Sequence, residues 1–209
     1  MIKKQTKILL FSDIHGDFLA IKKLKQKAKS VDFCICAGDI TNFSKDIERV
    51  VKELNSFKKP IFFVPGNHED ESEVFEIANR LFKSPNIVSV NNKLLEYNDF
   101  IIIGSEVNGF SREDERFELF TKLVTKELKN KKYHDKKIIL VTHAPPYNTK
   151  LDPVSPGYHV GSKSVLDTIK ILKPIIAVSG HIHEPAGATQ KIGKTLAVNA
   201  GWNGIVVKV

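Results

Sequence analysis

Five histidines follow short apolar runs, and carboxylates and one amide come with them. The run at 8–12 is followed by Asp13-Ile14-His15, and the run at 33–37 by Gly38-Asp39. Beyond 61–64 stand Gly66-Asn67-His68-Glu69; beyond 138–142 stands His143; beyond 175–179 stand Gly180-His181-Ile182-His183. Of seven histidines, only His134 and His159 lie elsewhere. Turns recruit Gly, Asn, Asp and Pro for backbone reasons, and have no such need of histidine. Imidazole nitrogens, carboxylates and an amide oxygen together make mixed sites suited to Mn, Fe, Zn, Ni or Co. No thiolate joins the set, which argues against structural zinc. Two divalent ions ~3.5–4 Å apart share a ligand, and a carboxylate can bridge them. Such a pair makes hydroxide available at neutral pH and clamps a phosphoryl group for in-line attack.

The elements that carry these residues follow from hydrophobic periodicity. The five runs read as short buried strands. Stripes with i, i+3, i+4 spacing separate the first three: Phe18, Ile21, Leu24 and Ala28 after Asp17 as N-cap; Ile47, Val50, Val51 and Leu54 after Ser44; Val74, Phe75, Ala78, Leu81 and Phe82. Strand–helix alternation of this kind predicts parallel βαβ units, whose ligands bind outside the carboxyl ends of the strands. The middle differs, with short strands at 87–90, 94–97 and 100–103 and turns at Asn91-Asn92 and Asn98-Asp99. A helix at about 112–130 is expected, capped by Ser111 with Asp114 three residues on. Val165, Leu166, Ile169 and Leu172 predict another, running into Pro174, and strands at 195–198 and 205–209 end the chain. That is too many strands for one open sheet, so two packed sheets flanked by helices are expected.

Length and composition narrow the class. At 209 residues, with 42% apolar and 27% charged, the chain reads as one globular domain spanning residues 1–209. No apolar run approaches the ~20 residues of a membrane helix. Lys3, Lys4 and Lys7 precede only Ile8-Leu9-Leu10-Phe11, too short for a signal-peptide core, so a soluble, unprocessed chain without a membrane partner is expected. Cys34 and Cys36 alternate on one face of a strand and read as small buried hydrophobes, in keeping with a cytoplasmic location. The net charge of +8 raises nucleic acid as a partner. Only Arg49, Arg80, Arg112 and Arg116 are arginines, and the lysines are scattered apart from a modest cluster between Lys126 and Lys137. A solvated basic face is the simpler reading, and nucleic acid is not expected.

The ordered set Asp13-x-His15, Gly38-Asp39, Gly66-Asn67-His68-Glu69, His143 and Gly180-His181-x-His183 resembles the calcineurin-like metallophosphoesterase superfamily. The match spans residues 13–183. The resemblance implies a four-layer α/β/β/α sandwich of two mixed sheets. It implies that Asp13, His15 and His183 bind one metal, that Asn67, His143 and His181 bind the other, and that Asp39 bridges them. It makes His68 a catalytic residue facing the phosphate and the leaving group, and Mn²⁺ the first choice of metal. The reaction implied is hydrolysis of small phosphomonoesters or phosphodiesters, nucleotides and cyclic nucleotides among them, by a metal-activated hydroxide. The segment from Thr142 to Tyr147, with Leu151-Asp152, His159-Val160-Gly161-Ser162 and Gly180 to Glu184, is similar to a small prokaryotic group. Its members are predicted phosphoesterases related to bacterial cyclic-nucleotide phosphodiesterases. A purple-acid-phosphatase tyrosine has no counterpart. Two alternatives fit the same motifs less well: a non-catalytic scaffold on this fold, which would have lost ligands that are all present here, and a nuclease, which would need a long basic groove. The oligomeric state is left open.

The stretch from Ala144 to Gly161 is long, proline-stiffened, and leaves directly from His143. Loops of this length usually carry function. Tyr147 could stack on a ring of the substrate, while His159 and Ser162 could reach a phosphate, Ser162 beside a helix N-terminus. The simpler reading makes Tyr147 a packing residue and Ser162 or Ser164 a helix cap.

Overall fold

A computed structural model describes residues 5–107 and 111–209. The first strand, β1 (Lys7–Phe11), leads through α1 (Phe18–Ala28) to β2 (Phe33–Cys36), then α2 (Ile47–Asn55), β3 (Ile61–Phe63), α3 (Glu71–Leu81) and β4 (Ile87–Ser89). Strands β1 to β4 are parallel neighbours. Asp17 caps α1, its carboxylate accepting from the backbone N–H groups of Leu19 (2.8 Å) and Ala20 (3.2 Å), as expected.

The chain then crosses to a second sheet through β5 (Lys93–Tyr97) and β6 (Phe100–Ser105), followed by α4 (Glu115–Glu127), β7 (Lys137–Thr142), a small hairpin β8 (Pro153–Ser155) and β9 (Tyr158–His159), and α5 (Lys163–Leu172). Strands β10 (Ile176–Ser179), β11 (Thr189–Ile192) and β12 (Thr195–Asn199) extend this sheet, and β13 (Ile205–Lys208) returns to pair antiparallel with β1. The strand orders are β13-β1-β2-β3-β4 and β11-β12-β10-β7-β6-β5. In the second sheet β12, β10, β7 and β6 are parallel and the outer strands β11 and β5 antiparallel.

Period-two alternation divides the core into three layers. Leu9, Phe11, Cys34, Cys36 and Phe63 pack under α1, α2 and α3. Their neighbours Ile8, Leu10, Phe33, Ile35 and Phe62 face Ile102, Ile139, Val141, Val178 and Val198 of the other sheet. The far side of that sheet, with Ile101, Ile103, Leu140 and Ala177, receives Phe117 and Val124 of α4 and Val165 and Ile169 of α5. The architecture is the expected four-layer sandwich. No helix among the described residues is long and apolar enough to cross a membrane.

Three local expectations are corrected. The helix expected at 112–130 starts later: Asp114 is its N-cap, accepting from Phe117 N at 3.0 Å, while the Ser111 hydroxyl donates to Glu113 O. The N-cap of α2 is Asp46 rather than Ser44, and no side chain caps it. Asn91-Asn92 forms the crossing between sheets rather than a hairpin, so β4 and β5 lie at the edges of different sheets. Two elements were not anticipated: the β8–β9 hairpin inside the proline-rich stretch, and β11, whose polar sequence gives no apolar signal because it is a half-exposed edge strand.

Both cysteines are fully buried and unpaired, and burial pushes the Cys34 thiol up to about 12. A thiol-specific chromogenic reagent should therefore titrate neither cysteine in the native protein and both in denaturant. Rapid reaction of either thiol under native conditions would contradict this packing.

Candidate metal centre

The carboxyl ends of the strands converge from both sheets. The turns after β1, β2 and β3 deliver Asp13, His15, Asp39, Asn67 and His68; those after β7 and β10 deliver His143, His181 and His183. The structure brings all eight together. Asp39 Oδ2 lies 3.3 Å from His143 Nε2, 3.8 Å from His15 Nε2 and 3.9 Å from His68 Nε2. Asp39 Oδ1 accepts from His68 N at 3.0 Å. Asn67 Oδ1 sits 3.1 Å from His143 Nε2 and 3.0 Å from His181 Nδ1. The Nε2 atoms of His15 and His183 are 3.1 Å apart, and Asp13 Oδ1 lies 3.8 Å from His183 Nε2. Three triads have ligand atoms within 4.8 Å of one another: Asp13, His15 and His183; Asp13, Asp39 and His143; and His15, Asp39 and His68.

The tautomers show why this donor set fits cations. His143 Nδ1 is 2.7 Å from the carbonyl of Ala37, and His15 Nδ1 is 3.2 Å from that of Thr41. A carbonyl only accepts, so each Nδ1 carries the proton, and in the neutral ring Nε2 presents a lone pair. The His143 lone pair then faces oxygens of Asp39 and Asn67, and that of His15 faces Asp39. Lone pairs converge on the same space, and a cation placed there would satisfy them. Without a metal a proton does so at His143: burial opposes its charge, but the Asp39 carboxylate outweighs burial and lifts it to about 9. Burial likewise works against charge on Asp39, and the hydrogen bond and charge of His143 still hold its carboxyl below the usual range. Burial and then the charge of His143 push His181 down to about 4, so His181 presents neutral nitrogen. Carbonyl-held imidazoles are the usual supporting arrangement of metal ligands.

Backbone geometry confirms that the site is forced. Asp13, His15, Asp39 and His181 all have positive φ, between 47° and 69°. Such conformations cost non-glycine residues about 1–2 kcal/mol each and gather at functional sites. Close approach explains Gly38 and Gly66. A Cβ on Gly38 would meet Gly66 N at 2.5 Å, and one on Gly66 would fall on the Asp39 carboxylate.

Several residues to which the sequence assigns no role support the site. Half-buried Glu69 uses Oε1 to accept from Ile40 N (3.2 Å) and Gly66 N (3.4 Å), which ties the Asp39 loop to the Asn67 loop. Burial, reinforced by Asp39, raises its pKa to about 7. Asn199 donates to Ile182 O at 2.8 Å and Leu151 O at 3.3 Å, bracing the turn that carries His181 and His183. Asn199 ends β12, so the strand-end rule extended to that strand would have found it. Phe43 and Trp202 also border the site through ring contacts with His68 and His183, and no motif marks either.

The 144–161 stretch is ordered around Asp152. This fully buried carboxylate accepts from Asn148 N (3.0 Å), Thr149 N (2.8 Å), Gly161 N (2.9 Å) and His159 Nδ1 (2.8 Å). Tyr147 lies with its ring centroid 6.3 Å from that of His159 and beneath the Arg112 guanidinium. Ser162 is fully buried; its hydroxyl accepts from Val165 N at 3.3 Å as the cap of α5 and contacts Arg112 O at 3.4 Å. The helix-cap reading of Ser162 therefore replaces the phosphate contact, because a buried hydroxyl engaged on both sides is out of substrate's reach.

Comparison with known proteins agrees with this geometry. Residues 6–185 match the family model of calcineurin-like phosphoesterases. An uncharacterized protein of Methanocaldococcus jannaschii is 38% identical over 207 residues, covering 94% of this chain and 88% of that one. The probable glycerophosphodiester phosphodiesterase GpdQ of Arcobacter nitrofigilis is 26% identical over 215 residues, covering 96% of this chain and 69% of that one. The crystal structure of TT1561 of Thermus thermophilus superposes with a TM-score of 0.72 at 20% identity, covering 96% and 91% of the two chains, and shows the shared fold. The chain belongs to the calcineurin-like phosphoesterase family, hydrolases that act on phosphoesters.

Gly66→Ala should force the Asp39 carboxylate aside. The expected result is a loss of about 1–3 kcal/mol in urea unfolding of the metal-free protein, together with weaker retention of divalent metal against a chelator. Unchanged stability and unchanged metal retention would show that the two loops are not in this close contact.

Proposed function

We propose that the protein is a binuclear-metal-dependent hydrolase of small phosphomonoesters or phosphodiesters. The observation that carries this is the convergence of eight strand-end groups, the buried Asp39 carboxylate among them, with imidazole lone pairs left facing oxygens. In this reading Asp13, His15 and His183 hold one metal, Asn67, His143 and His181 hold the other, and Asp39 is shared. When bound, a pair of divalent ions acidifies water and neutralises charge on the phosphoryl oxygens. Mn²⁺ is the metal we assign, with Fe, Zn, Ni and Co compatible with the same donors.

The chain's own residues then have distinct tasks. A water oxygen, its proton lost to solvent, attacks phosphorus and forms one P–O bond as the ester P–O bond breaks. His68 delivers a proton from Nε2 to the departing oxygen, and its ring stays beside Asp39 for that purpose. His68 also sits in a ligand-sized cluster with His15 and Asp39, and its adjacency to Asn67 favours the proton donor, since neighbouring side chains at a turn diverge. Tyr147 is proposed to stack on a ring of the substrate and His159 to reach a phosphate, with His159 oriented by Asp152. A glycerophosphodiester phosphodiesterase among the relatives supports diester substrates.

Three experiments test this. Metal analysis should find two divalent ions per chain, and exhaustive chelation should abolish hydrolysis. Asp39→Asn should cost more activity than any single terminal-ligand variant, because it weakens both sites. His68→Ala should retain both metals and lose ~10²–10⁴-fold on alkyl esters, whose leaving groups need a proton. It should lose much less on nitrophenyl esters, whose phenolates depart unaided. Loss of metal in His68→Ala, or equal losses on both esters, would reject the proton-donor role.

A further inference from the structure

Folding does not account for Phe43. Its side chain is 73% exposed, so it adds little to any core. Its φ is +51°, and those of Ser44 and Asp46 are +57° and +56°. For a bulky aromatic residue a left-handed conformation is a genuine outlier. The segment is nonetheless stapled in place. Ser44 N donates to His68 O at 3.2 Å and to Thr41 Oγ1 at 3.1 Å. Thr41 Oγ1 donates to His68 O at 3.3 Å, and Ser44 Oγ donates to Glu73 Oε2 at 2.5 Å. Two of these bonds hold the turn that bears His68, so strain is spent to keep Phe43 in register with it.

The outcome is a stack. The Phe43 and His68 rings have centroids 4.1 Å apart and planes inclined by 32°. The His68 ring meets the His15 ring at 4.6 Å, and His15 meets His183 at 5.0 Å. Phe43 is thus the outer member of a row of rings that begins at the metal ligands. One side of its ring is occupied by His68, and the rest is open to solvent.

We propose that Phe43 is a specificity-determining residue whose open ring surface stacks on a planar aromatic group in the departing alcohol. The site then favours aryl or base-bearing phosphoesters over alkyl esters of equal intrinsic reactivity. The inference rests on the phosphoesterase reading above, with His68 on the leaving-group side. Stacking of this kind is worth ~0.5–1.5 kcal/mol, or about 2- to 10-fold in kcat/KM.

The test compares an aryl phosphate with a fluoroalkyl phosphate whose leaving alcohols are equally acidic, which removes the need for a proton as a variable. The metal-loaded full chain should favour the aryl ester by about 2- to 10-fold. Phe43→Ala and Phe43→Leu should bring that ratio close to one, and Phe43→Tyr should preserve it. Calorimetric binding of phenylphosphonate against methylphosphonate gives a readout that needs no turnover, and its affinity ratio should change in the same way. A kcat/KM ratio unchanged by Phe43→Ala, whether both rates fall together or neither falls, overturns the proposal and leaves the ring as a support for His68. A wild-type chain that hydrolyses neither ester with any divalent metal would reject the phosphoesterase reading instead. The phosphonate ratios then decide the case of Phe43 alone: equal affinities in wild type and Phe43→Ala would overturn it.

Discussion

A single buried carboxylate organises this protein. Asp39 is 2% exposed and has three imidazole nitrogens within 3.3–3.9 Å of one oxygen. Burying a carboxylate without compensation costs several kcal/mol. The protein meets that cost with a backbone N–H from the His68 turn and with positive charge on the imidazole side. Everything close by is shaped around the arrangement: Gly38 and Gly66 lack side chains because the Asp39 loop and the Asn67 loop touch, and Glu69 ties the same two loops by their N–H groups. Glu69 pays no full charge penalty, since burial next to Asp39 raises its pKa to about 7.

The site exists only because two sheets are packed face to face. The first supplies Asp13, His15, Asp39, Asn67 and His68, and the second supplies His143, His181 and His183. The apolar layer between them, from Ile8 and Leu10 across to Val141 and Val178, sets their separation. Each fully buried side chain in that layer contributes roughly 1.5–3 kcal/mol. Four site residues with positive φ cost about 1–2 kcal/mol each. The apolar layer can therefore hold the strained turns in place with a handful of its side chains, so strain concentrates where the chemistry is without unfolding the domain.

Buried strands and the gathering of strand-end histidines were legible because they leave strong marks: a run of β-branched and apolar residues, then a histidine where a turn has no use for one. Period-two alternation also placed Cys34 and Cys36 on a common buried face. What stayed hidden has a physical reason in each case. Strand β11 is half exposed at an edge and carries no apolar run. The start of α4 is ambiguous in sequence because Ser111 and Asp114 are both good caps; in the structure Asp114 accepts from Phe117 N and its own N–H is held by Ser164 Oγ at 2.9 Å. Ser162 read equally well as a phosphate contact or a cap, and burial decided for the cap. Phe43 gave no signal at all, since an exposed aromatic in a loop looks like any other until its ring is seen against His68.

The two places where the chain leaves one sheet for the other show how the fold protects this arrangement. A strand that departs from its sheet leaves backbone groups without ladder partners, and buried groups of that kind must be satisfied. An asparagine stands at each crossing. At the first, Asn91 accepts from Glu106 N at 2.8 Å and donates to Glu71 at 2.8 Å. At the second, Asn199 donates to the carbonyls of Ile182 and Leu151. At Asn91 the amide donates and accepts at once, which neither a hydrophobic residue nor a carboxylate can do, whereas at Asn199 only the NH2 group is engaged, on two carbonyls. The crossings differ in what they brace. Asn91 joins a helix to a strand edge, whereas Asn199 joins the histidine turn after β10 to the Asp152-centred segment. The same residue type thus secures topology at one crossing, while at the other it couples the turn bearing His181 and His183 to the segment proposed to meet the substrate.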